Sequence, residues 1–215
     1  MRTREHGLRT GIQINPTSTF YSQFGFLGDP ESTGKSWTTL GYITACKRQP
    51  APLHSHALHY ASKANIFSIE RTPVSTRQRN LIIVPSSLLS QWAALFARQE
   101  ELNYLIIRRR NQLDVESFIE QLGDYDAVIV PHTLYNALYE KLLPHNYVWT
   151  RCFIDDWTSI PLTITRSSIR AEFTWILTGN WFPFFFCDDY ITNIHMNYLK
   201  NISQEELINR HSDLS

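Results

Sequence analysis

Short apolar runs alternate with helical periodicities along most of the chain. Residues 24–28 read as a short strand. Residues 35–48 follow as a helix, with an early Ser36 and an apolar set of Leu40, Ile43 and Ala45. Residues 49–79 are rich in Pro, Ser, His and Arg and hold no sustained period, which predicts an insertion or surface excursion. Residues 81–84 are wholly apolar, as expected of a strand buried on both faces. Pro85 ends that strand, and Ser86 or Ser87 can cap a helix whose Leu88, Leu89, Trp92 and Leu95/Phe96 share one face. The pattern then repeats: strand 104–107, helix 115–122 opened by Asp114, strand 127–130, helix 133–143 stopped by Pro144, strand 148–154, a short helix at 167–172 and strand 173–177. Such alternation predicts an α/β fold in which right-handed crossovers build a parallel sheet covered on both faces. Ligands of such sheets bind at the C-terminal ends of the strands.

A length of 215 residues suits one domain with short extensions. The expected division is an N-terminal extension at 1–22, a main domain at 23–187 carrying the insertion at 49–79, and a polar tail at 188–215. Lys plus Arg and Asp plus Glu both number 20, so no global basic field points to nucleic acid, although local patches could bind it. Cys46, Cys152 and Cys187 are far apart and odd in number. That argues against a disulfide framework or zinc site and for a reducing, intracellular compartment. The charged N-terminus lacks the apolar run of a secretory signal, and no stretch approaches the roughly 20 apolar residues that span a membrane.

Two segments carry chemistry. Gly28-Asp-Pro-Glu-Ser-Thr-Gly-Lys-Ser36 lies between a strand and a helix, where backbone N–H groups can form an anion nest and the helix N-terminus adds positive potential. Gly34, Lys35 and Ser36 match the end of the phosphate-loop pattern G-x-x-x-x-G-K-[ST], with Asp29 at its first glycine and Ser32 and Thr33 between. Lys35 would reach the β- and γ-phosphates of ATP, and the Ser36 hydroxyl would ligate Mg²⁺. The alternative is an ordinary Gly-containing turn opening a helix. The second segment, Cys152-Phe-Ile-Asp-Asp-Trp157, is an apolar strand ending on two carboxylates. Asp155 can hold Mg²⁺ opposite Ser36, while Asp156 stands where a water-activating group would act. A solvated strand-to-loop junction is the alternative there.

These residues resemble Swi/Snf-type superfamily 2 helicases. Residues 28–36 are similar to the family's A-D-E-M-G-L-G-K-T, in which an aspartate also holds the first loop position. Leu81-Ile-Ile-Val-Pro-Ser-Ser-Leu-Leu-Ser-Gln-Trp92 is similar to VVCPLSLLxQW, the most specific of the matches. Tyr125-Asp-Ala-Val-Ile-Val130 followed by Thr133-Leu-Tyr135, then Trp149-Thr-Arg-Cys-Phe-Ile-Asp155, and finally Trp175-Ile-Leu-Thr-Gly179 follow in the family's order, over roughly residues 24 to 180. Ser159-Ile-Pro161 is most like the divergent helicases of large DNA viruses. The resemblance implies a single lobe: a three-layer α/β, RecA-like parallel sheet of the P-loop NTPase type. It also implies ATP and Mg²⁺ as cofactors, and DNA or RNA backbone over Pro85, Ser86, Ser87, Thr178 and Gly179.

The departures from the family shape the functional expectation. Ser32 replaces a loop glycine, and Asp156 replaces the catalytic glutamate with a carboxylate one methylene shorter. Trp157 and Thr158 follow in place of smaller residues, and Asn180-Trp181 replaces T-P. The chain reaches Ser215 without a second lobe. These features imply a degenerate, single-lobe module that binds nucleotide with weak or no hydrolysis, as a part of a larger, viral or virion-packaged assembly. Two alternatives stay open: the ATP-binding half of an active nucleic-acid-dependent ATPase completed by another chain, and a chain whose Lys35 is vestigial. The run Trp181-Phe-Pro-Phe-Phe-Phe186 is either core or a patch for a protein partner. His54, His56 and His59 read as an exposed polar loop rather than a metal site. Arg108-Arg-Arg110 is either a phosphate contact or a solvated run.

Overall fold

The computed structural model describes residues 1–15, 18–20, 22, 24–48, 54–61, 66–73, 79–156, 160 and 169–180. Trp157, Thr158, Ser159, Pro161, Ser167, Cys187, the aromatic run 181–186 and the tail 188–215 lie outside the described residues. The chain opens with helix α1 (Arg2–Thr10) and an antiparallel pair, β1 (Ile12–Asn15) with β2 (Ser18–Phe20). Strand β3 (Phe24–Leu27) leads through the glycine-containing loop into α2 (Lys35–Arg48). The stretch read as an insertion or surface excursion contains a second antiparallel pair, β4 (His54–Ala61) with β5 (Ile66–Pro73), so His54, His56 and His59 lie on a strand and not in a loop. Its β-prone residues (Tyr60, Ile66, Phe67, Ile69) are diluted by Ser, His and Arg, so no clean alternation shows in the sequence.

The remaining elements are β6 (Asn80–Val84), α3 (Leu89–Phe96), β7 (Tyr104–Ile106), α4 (Phe118–Leu122), β8 (Ala127–Pro131), α5 (His132–Leu142), β9 (Arg151–Asp155) and β10 (Thr174–Leu177). Six strands form one all-parallel sheet in the order β3-β10-β9-β6-β8-β7. Alternate residues of the central strands feed two cores. Leu81, Ile83, Val128, Val130, Cys152 and Ile154 pack with Phe118, Leu122, Leu138 and Leu142 of α4 and α5. Ile82, Ile129, Phe153, Trp175 and Leu177 pack with Leu40, Ile43, Trp92 and Phe96 of α2 and α3. The fold is thus the three-layer α/β arrangement of a RecA-like lobe, and the apolar runs at β6, β8 and β9 reflect burial on both faces.

Local expectations fail where pairing outweighs propensity. Residues 169–172 are not helical. Trp149 bridges Ala171 in parallel, its N–H donating to Arg170 O and its O accepting from Glu172 N–H, so the β9–β10 pairing begins early. No serine caps α3: Ser86–Leu88 is a 3₁₀ turn, and the residue ahead of α3 is Leu88, with no side-chain cap. Helix α4 starts only at Phe118, leaving Val115 exposed ahead of it.

Helix α1 is tied into the sheet by a buried ionic hub. Glu5, 1% exposed, accepts from the Arg151 Nε–H at 2.9 Å, from the Trp175 Nε1–H at 3.0 Å and from the Tyr42 hydroxyl. Arg9 pairs with Glu5 at 3.0 Å, and its other nitrogens donate to Glu172 Oε2 and Thr150 O. Burial alone would raise the Glu5 pKa, but the Arg151 and Arg9 guanidiniums outweigh it and hold the carboxyl below its ordinary value. Gly25 of β3 makes room beneath this hub. It lies in register with Trp175, and a Cβ there would sit 2.6 Å from the indole ring.

Gly25→Ala is therefore expected to lower stability by about 1–3 kcal/mol in denaturant titration, the usual cost of overpacking; an unchanged midpoint would contradict this packing. Glu172 supplies a second expectation. Burial, only partly offset by Arg9, lifts its pKa to about 7. Folded protein keeps this proton where unfolded chain has lost it, so this residue's contribution to stability falls as pH rises from about 4.5 to 7. Glu5, with its lowered pKa, acts oppositely, losing stability only as pH drops through its folded value. Between pH 5 and 7, Glu172→Gln should flatten the decline by on the order of 1–2 kcal/mol. Identical pH slopes for the native and variant chains would rule this out.

Candidate functional site

Leu27, Val84, Asp155 and Leu177 end their parallel strands at the same edge of the sheet. A cleft of about 620 Å³ opens there, lined among others by Gly34, Lys35, Ser36, Asp155, Asp156, Thr178 and Gly179. The two segments singled out in the sequence thus meet in one concavity. Asp29 and Thr33 sit on the exposed outer side of the loop and do not line the cleft; the Thr33 hydroxyl donates to Pro30 O at 2.7 Å. Pro85 is buried, and Ser86 and Ser87 are exposed on the 3₁₀ turn beyond β6, also outside the cleft.

The loop turns through two left-handed residues. Gly34 has φ +91°, and Ser32 is held at φ +62°. A non-glycine residue in the left-handed region carries a strain of roughly 1 kcal/mol. Lys35 folds back over the loop, its Nζ donating to the carbonyls of Asp29 and Pro30, both at 2.8 Å. Lys35 and Ser36 open the first turn of α2, where backbone N–H groups have no helical carbonyl to meet and point toward an incoming acceptor.

On the facing side, strand alternation directs Arg151, Phe153 and Asp155 to the α2–α3 face of the sheet. Asp155 is 6% exposed, and its Oδ2 accepts the Trp92 indole N–H at 2.7 Å. Burial raises its pKa, the Trp92 and Asp156 N–H groups and Lys35 counteract, and the Asp156 charge adds to the rise. Asp156 has φ +47°, a conformation that aspartate tolerates, and its N–H donates to Leu177 O at 2.9 Å. Thr178 is buried, its N–H donating to Leu27 O at 3.1 Å. A Cβ on Gly179 would lie 3.0 Å from Cγ of Glu31, so the β10 end packs directly on the phosphate-loop candidate.

Sequence reasoning placed Trp92 in an apolar face and missed its tie to Asp155. The available signal was that a fully buried indole needs an acceptor for its N–H. Glu31, Trp37, Gln91 and Arg98 also line the cleft without having been foreseen. The arginines at 108–110 are exposed beyond β7, the strand at the far edge of the sheet from β3. Among the described residues, no cluster of three or more His, Cys, Asp or Glu side chains is placed to hold a metal ion, and no helix is long and apolar enough to cross a membrane.

No protein-family model matches the chain, and no curated protein matches it. Among solved structures it is similar to a nuclease-deletion mutant of the Type ISP restriction-modification enzyme LlaGI in complex with a DNA substrate mimic, at 13% sequence identity and a TM-score of 0.45. The match covers 74% of this chain and 13% of that one.

The Trp92–Asp155 bond can be weighed by a double-mutant cycle. Trp92→Phe, which leaves a buried carboxylate oxygen without its donor, is expected to cost about 1–3 kcal/mol, and to couple to Asp155→Asn by about 1 kcal/mol or more. Additive effects in the cycle would show that the bond contributes nothing.

Proposed function

We propose that the chain is a helicase-like, nucleotide-binding module that holds the triphosphate of a nucleotide in this cleft and hydrolyses it slowly at most. One observation carries the reading. A lysine and a serine opening a helix, and two carboxylates ending a strand far away in sequence, line one cleft at the C-terminal edge of a parallel sheet. Its size lies within the range of small-molecule sites, which runs from about 300 to 1,000 Å³.

The donor set fits magnesium. A serine hydroxyl and one or two carboxylates are hard oxygen ligands, and such sites are completed by substrate phosphates and water. Ser36 and Asp155 would hold the ion, which when bound supplies charge neutralisation on the phosphates. Lys35 would exchange its two loop carbonyls for phosphate oxygens, trading neutral acceptors for charged ones. The Trp92 N–H would hold the Asp155 carboxylate in place beside the cleft. Asp156 is the group nearest the water-activating role. Its side chain is one methylene shorter than glutamate, a shortfall of roughly 1 Å that can reduce rate by about 100-fold. DNA or RNA backbone at the exposed Ser86 and Ser87, and a place in a larger assembly, extend this reading from the family resemblance.

Calorimetric titration with Mg²⁺–ATP is the test. Native chain is expected to bind, with affinity reduced about tenfold or more by Lys35→Ala, and Asp156→Glu is expected to raise the hydrolysis rate. Absence of binding at millimolar ATP, or equal affinity for native and Lys35→Ala chains, would overturn the proposal.

A further inference from the structure

The cleft is larger and more apolar than a triphosphate requires. From Lys35 and Asp155 it continues past Trp37 of α2 to Gln91 and Leu95 of α3 and to Leu88 and Arg98 in the turns flanking that helix. Trp37 follows Ser36 directly, in the first turn of α2, and is 50% exposed. The guanidinium carbon of Arg98, in the turn after α3, lies 5.8 Å from the centre of the Trp37 ring. The guanidinium covers one face of the indole, and the outer face of either group can take the π-face that every nucleobase presents. Leu88 and Leu95 supply apolar walls, and the Gln91 amide offers both a donor and an acceptor for a base edge. A site with apolar walls and a few polar groups is the usual form of a small-molecule pocket.

We infer that Trp37, with Arg98, is the base-stacking subsite for the nucleotide whose phosphates meet Lys35. The inference rests on the phosphate reading above and adds the feature that separates a nucleotide from a bare polyphosphate. A half-exposed tryptophan can also be an isolated surface residue. The reasons to read Trp37 otherwise are its continuity with the phosphate end of the cleft and the cation held over its ring.

The test compares Mg²⁺–ATP with Mg²⁺–tripolyphosphate by calorimetry on native, Trp37→Ala and Trp37→Phe chains. Native chain is expected to bind ATP about tenfold more tightly than tripolyphosphate, the scale of one base–aromatic stack. Trp37→Ala should remove that advantage and leave tripolyphosphate affinity unchanged, while Trp37→Phe should keep most of it. If native chain binds tripolyphosphate as tightly as ATP, or if Trp37→Ala weakens both ligands equally, the base subsite is overturned and the phosphate reading stands. If native chain binds neither, both fall.

Discussion

The carboxylate of Glu5 is the interaction on which the arrangement depends. It sits at the meeting point of α1, α2, β9 and β10, and receives Arg151, Trp175 and Tyr42 while pairing with Arg9. A buried ion costs several kcal/mol in desolvation, and only its full set of partners makes it tolerable. Removing one partner strands the others, at a typical cost of about 3–5 kcal/mol. Such a hub specifies geometry as well as contributing stability, because few placements of helix and strand satisfy all of its donors at once.

That geometry reaches the cleft along two elements. Tyr42 and Lys35 lie on the same helix about two turns apart, so fixing the Tyr42 hydroxyl fixes the direction of the α2 N-terminus. Arg151 and Asp155 lie on one face of β9 with Phe153 between them, so the strand that meets Glu5 at one end carries the acidic pair at the other. Trp92 then locks Asp155 from α3. The candidate phosphate loop and candidate metal carboxylate are thus held by a common buried frame, as a preorganised site requires. Ser32 and Asp156, both in left-handed conformations, mark where the chain turns sharply to bring them together.

Much of this was legible in the sequence. The wholly apolar runs of β6, β8 and β9, the 35–48 helix and the strand order-independent alternation of elements all follow from period and burial. The positions of Lys35, Ser36, Asp155 and Asp156 at strand and helix ends follow as well. What escaped were long-range polar ties. Glu5 and Arg9 read as part of a charged N-terminal extension, and nothing local announces that they are buried against Arg151 and Glu172. The 169–172 segment read as helix because its pairing partner, Trp149, is remote in sequence. The β4–β5 hairpin was hidden by mixed composition. Trp37 attracted no notice because a lone aromatic in a helix has no local signature; its partner Arg98 comes from the turn after α3.

Hydrogen–deuterium exchange of the full chain, with and without Mg²⁺–ATP, tests the central claim most directly, because backbone amides of the loop are the proposed phosphate ligands. The expected result is slowed exchange concentrated at residues 33–37 and around 155–156, with the distant α5 unchanged. Unaltered exchange at 33–37 under saturating nucleotide, or protection confined to some other surface, would contradict the claim that this loop and this strand end form one nucleotide site.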